Sequence, residues 1–120
     1  MSKWFIIESD SEYAESLWGF RLVEADREKI GEYCKASLMQ YVVDNGLIYD
    51  LEADMKFPCP LDDTGGRVAF YAQFRSHHTA IVAIPFDDVE AKGILSGSDI
   101  DKAIAEAKAT YEEAVKGGVA

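Results

Sequence analysis

Several things are scarce in this 120-residue chain, and each scarcity narrows the reading. There is no run of about 18 apolar residues, so no membrane-spanning helix is expected. The opening MSKWFIIESDSEY places four apolar residues before acid, too few for the core of a signal peptide. Two cysteines, Cys34 and Cys59, make no disulfide framework, which points to a reducing cytoplasmic setting. Neither sits in a CxxC pair, and the two histidines, His77 and His78, are adjacent, so a zinc centre lacks its ligands. Basic residues are few as well. Twelve Lys and Arg stand against 22 Asp and Glu, for a net charge of −10. A field of that sign repels nucleic acid and anionic membrane, so neither is expected as a direct partner.

What is present is enough to fold. A hydrophobic share of 48% with 12% aromatics suits an ordered chain, and the length suits one domain over 1–120. The acid is gathered locally. Residues 8–15 carry −4, 44–63 carry −5 and 87–90 carry −3, which leaves the remainder at +2.

Residues 3–7 (KWFII) are apolar on both faces, as in a central strand. Ser9 followed by Glu12 fits a capping box for a short helical turn, and 17–22 reads as a strand. From Glu24 to Asp44, Ile30, Cys34, Leu38, Tyr41 and Val42 recur at helical spacing, and Asn45-Gly46 supplies a left-handed stop. The stretch 49–57 (YDLEADMKF) alternates apolar and charged residues, which predicts a half-buried strand with Asp50, Glu52 and Asp54 in line on its outer face. PCPLDDTGGR reads as a connection. The runs 68–75 and 79–86 form a hairpin around SHH, and pairing Arg75 with Ala80 leaves both faces substantially apolar. Residues 87–97 read as a loop. A second helix runs from Ser98 to Lys116, with Ser98 as cap and Ile100, Ile104, Ala107, Tyr111 and Val115 as its buried stripe.

The predicted fold is therefore α+β, an antiparallel sheet of four to five strands with two long helices on one face, in the order β-(β)-α-β-β-β-α. Its αβββα portion resembles the core of double-stranded RNA-binding domains in topology. That family places lysines at the start of its last helix, where this chain has Ser98, Asp99, Ile100 and Asp101. The resemblance therefore implies no RNA binding here.

Function must be sought in the acid. A calcium loop counted from Asp50 would need glycine at its sixth position and glutamate at its twelfth, where Met55 and Leu61 stand. The carboxylates then serve either as a solvated edge that deters strand pairing or as a docking surface. In the second case Asp50, Glu52 and Asp54, extended by Asp62 and Asp63, would grip an Arg/Lys groove built for phosphates. The expectation is a non-catalytic acidic binding protein, without cofactor or metal. It would occlude a basic surface of a nucleic-acid-binding or nuclease protein, in the manner of immunity or anti-defence inhibitors, with its oligomeric state open. The competing reading is a small cysteine-dependent enzyme using Cys59 with His77 or His78. Against it, the acids near Cys59 in sequence raise a thiol pKa.

Overall fold

A computed structural model describes residues 2–10, 16–52, 57–60, 66–75, 78–86 and 95–118. Strand β1 (Ser2–Asp10) pairs antiparallel with β2 (Ser16–Ala25), and α1 (Arg27–Asp44) follows. Next come β3 (Cys59–Pro60), β4 (Val68–Gln73), β5 (His78–Phe86), β6 (Leu95–Ser96) and α2 (Ser98–Gly118). The sheet runs β3-β4-β5-β1-β2-β6, antiparallel except for the short β2–β6 pairing. Both helices pack together against one face of it, as the α+β reading expected. Among the described residues, no helix is long and apolar enough to cross a membrane.

The core follows from two periods. In β1, Trp4, Ile6 and Glu8 are buried while Lys3, Phe5 and Ile7 are only half-buried, the period of a strand with one covered face. Trp4 anchors its end of the sheet, donating its indole N–H to the Ala25 carbonyl at 2.9 Å. On α1, Ile30, Cys34, Leu38 and Val42 are fully buried, and on α2 Ile100, Ile104 and Ala107 meet them, the helical stripes expected from spacing. Asp26 caps α1 by accepting the Lys29 N–H at 2.7 Å. At its other end, Gly46 at φ 63° lets the Leu47 N–H reach the Val42 carbonyl at 2.9 Å.

Five local expectations are corrected. Ser9 and Asp10 belong to β1, so no capping box opens there; Glu12 lies outside the described residues. Glu24 and Ala25 complete β2, and α1 begins only at Arg27, because the alternation that buries Val23 and Ala25 outranks helix preference. The connection after Phe57 contains β3, which pairs Cys59 with Tyr71, and a sixth strand stands in what read as a loop. The helix α2 includes Ser98, and the Gly97 carbonyl accepts its first bond, from the Ile100 N–H at 3.2 Å. In the β4–β5 hairpin, Tyr71 stands opposite Ala80 and Phe70 opposite Ile81, not Arg75 opposite Ala80. An even slip of register keeps every side chain on its own face, so alternation alone does not exclude it.

Candidate functional site

The acidic stretch after α1 is folded differently from the strand that alternation predicts. Ile48–Asp50 is a 3-10 turn, closed by the Asp50 N–H on the Leu47 carbonyl at 3.0 Å. With about three residues per turn, Ile48 and Leu51 fall on one side. Both pack with Leu47 against Val42, Ala72 and Phe74. Leu51 bridges Phe74, the Glu52 N–H bonds the Gln73 carbonyl at 3.0 Å and the Arg75 N–H bonds the Asp50 carbonyl at 3.0 Å. The turn is thereby fastened to the end of β4. What faces outward is Tyr49, 66% exposed, with Asp50 and Glu52.

Asp44, the last residue of α1, is exposed nearby in the chain and accepts from Gln40 at 2.8 Å. Among the described residues, Asp50 and Glu52 are in no ion pair. Exposed Arg75, whose N–H bonds the Asp50 carbonyl, brings one positive charge to the turn. The straight ladder of carboxylates is thus replaced, over 48–52, by a turn that presents an aromatic ring between acids. Asp54, Asp62 and Asp63 lie outside the described residues.

A second polar group lies between sheet and helices, and sequence reasoning passed over it. Glu8 is 2% exposed on the covered face of β1. Arg21 of β2 reaches it with Nη2 at 2.7 Å and also donates to Ser37 Oγ at 2.6 Å. Its Nε donates to the Tyr33 hydroxyl, its guanidinium lies 5.1 Å from the Tyr33 ring centre, and Ser37 donates to Glu8. Burial opposes the Arg21 charge, but the hydrogen bond and charge of Glu8 outweigh it and raise its pKa. A cavity of about 260 Å³ opens beside the cluster, between Tyr33, Ala36 and Gln40 of α1 and Ala103 and Ala107 of α2. The clue in the sequence was parity: Glu8 continues the Trp4, Ile6 positions and Arg21 the Ala25, Val23 positions, so opposite charges occupy the covered face.

This cluster neutralises a buried carboxylate, and it contains no activated nucleophile. Burial raises the Tyr33 hydroxyl, only partly offset by Arg21. Burial likewise pushes the Cys34 thiol up to about 12. Against the reference of 9.0, that lowers the thiolate fraction at neutral pH about a thousandfold. Native Cys34 is therefore expected to react with a thiol reagent at least about a thousandfold more slowly than in the urea-unfolded chain. Time-resolved labelling with mass detection measures this, and rapid native labelling would show that α1 opens readily.

Cys59 and His78, one pairing of the competing enzymatic reading, are placed apart. Cys59 is 7% exposed and sits opposite Tyr71, while exposed His78 sits opposite Gln73. Two strand spacings and two residues separate them, about 12 Å between Cα atoms. Side chains standing off a sheet do not meet across that span. His77 lies outside the described residues. Among the described residues, no group of three or more His, Cys, Asp and Glu side chains is placed to hold a metal ion.

The chain matches no protein-family model, no curated protein and no solved structure.

Proposed function

We propose that this chain is a non-catalytic acidic binding protein that docks onto, and occludes, a basic surface of a protein that handles nucleic acid. The observation that carries the reading is Tyr49, 66% exposed and flanked by Asp50 and Glu52 on a turn anchored through Phe74. Exposed tyrosines supply large contact area at low entropic cost and recur among residues that dominate binding energy. Carboxylates around such a ring steer a cationic partner and raise the association rate. The ring, once covered, slows release. A pre-anchored turn also loses little freedom on binding.

The test begins with capture of partners from host lysate at low and high salt, followed by titration of the purified partner. The triple reversal Asp44→Lys, Asp50→Lys, Glu52→Lys is expected to abolish binding with the circular dichroism spectrum unchanged. Tyr49→Ala is expected to weaken it about 10- to 100-fold while leaving its salt dependence intact. The partner should lose nucleic-acid binding as this chain is added. Affinity indifferent to the triple reversal and to salt would overturn the proposal.

A further inference from the structure

We infer that two copies of this chain pack face to face through the sheet surface turned away from the helices, giving a four-layer α/β/β/α sandwich. That surface is apolar across the four central neighbours β4, β5, β1 and β2. Phe5 and Ile7 stand on it from β1, Leu22 from β2, Tyr71 from β4, and Val82 and Ile84 from β5, all half-buried. The register makes them contiguous: Phe5 lies opposite both Leu22 and Ile84, and Ile7 opposite Val82. Within the four strands, the formal charge of the described side chains on this face is that of Lys3 and Glu24, cross-strand partners of opposite sign, and exposed Glu52 and Arg75 border it at the end of β4. Alternating strands with one solvated face ordinarily carry polar residues there; here Lys3, Glu24, Gln73 and His78 stand at the margins and the middle is apolar.

Area and shape favour a second copy as the occupant. The nine-residue strands β1 and β5 span about 30 Å, β4 with six residues about 20 Å, and four strands about 19 Å across, roughly 500–600 Å² in projection. Side-chain relief brings the whole face close to the ~800 Å² per partner of a stable interface. A basic partner finds no carboxylate row on these four strands; the acidic turn proposed above stands beyond them, at the end of β4. A copy of the chain meets a face that is nearly neutral overall. The exposed acids Glu28, Asp101, Glu106, Glu112 and Glu113 ride on the helices, on the far side of the sheet. In the sandwich the two helix layers lie about 30 Å apart, several Debye lengths of about 8 Å, so these helix acids do not prevent association; most of the −10 lies instead in 8–15, 44–63 and 87–90, and added salt is expected to favour pairing. Two sheets of identical twist also pack in the aligned manner, at about 30°.

Solution mass at roughly 100 µM, above the micromolar-or-tighter range such interfaces span, gives the first reading. Twice the chain mass of 13.3 kDa is expected, and a single-chain mass overturns the inference. Val82→Glu and Ile7→Glu should each give the single-chain mass with native circular dichroism, whereas Glu112→Lys on the helix layer should leave the pair intact. A native-like Val82→Glu that remains paired places the interface elsewhere and overturns the inference. Should the sheet variants unfold, the wild-type chain decides. Hydroxyl-radical footprinting should show Phe5, Leu22 and Tyr71 protected at high protein concentration and reactive on dilution, and equal reactivity at both concentrations overturns it.

Discussion

Replacing Arg21 with alanine is expected to destabilise the fold by about 3–5 kcal/mol, one of the two largest single-residue effects anticipated in this molecule. The reason lies in what remains. Glu8 is 2% exposed, and without the guanidinium its carboxylate keeps only the Ser37 hydroxyl as a named side-chain partner. The cavity beside the cluster admits water to the vacated site and softens the loss, but the variant still carries a largely buried charge without its counter-ion. The variant also loses the contact of the guanidinium with the Tyr33 ring. For a domain whose total stability is about 5–15 kcal/mol, a loss of that size is a large share of the whole.

The pair itself is a different quantity from the penalty for breaking it. Glu8→Leu with Arg21→Leu removes both charges together and is expected to regain most of the loss, because desolvation of a buried pair consumes much of its attraction. Urea unfolding followed by circular dichroism measures all three chains. A single Arg21→Ala costing under about 1 kcal/mol would assign the pair to the weak class typical of solvated surfaces.

Phe74→Ala is the second large effect, at about 3–5 kcal/mol. Phe74 is fully buried at the centre of the smaller core, with the Tyr41 ring 6.5 Å away and Leu47, Ile48 and Leu51 packed around it. Truncation removes the ring and leaves a cavity that a sheet end and a helix end close only in part. The effect reaches the proposed binding turn. With Phe74 gone, Leu51 loses the residue it bridges, and the bonds from the Glu52 and Arg75 N–H groups lose their cover. Amide exchange at Glu52 and Arg75 should therefore accelerate more than at β1, where Ile6 remains enclosed. Phe74→Leu keeps much of the volume and is expected to cost under about 2 kcal/mol with a smaller change in exchange. Uniform acceleration across the sheet in Phe74→Ala would mean that the turn does not depend locally on this ring.

Local periodicity made most of the architecture legible before any coordinates. Ile30, Cys34, Leu38 and Val42 on α1, and Ile100, Ile104 and Ala107 on α2, were readable as buried because a helix repeats its face every three to four residues whatever it packs against. The hairpin, the two-helix cover and the stop at Asn45-Gly46 follow from equally local chemistry. Tertiary structure alone decided three other matters. Whether 48–52 alternates or turns depends on Phe74, because Leu51 is an inward position under both periods and only its bridge to β4 selects between them. The β4–β5 register differs from the expected one by an even shift, which the hydrophobic pattern tolerates equally. And the Glu8–Arg21 pair joins residues 13 apart, visible only once strand pairing has set Ile6 opposite Arg21 and Glu8 opposite Gly19. Burial periods belong to single segments, so the chain carries them openly; a contact between segments exists only in the geometry that their packing creates.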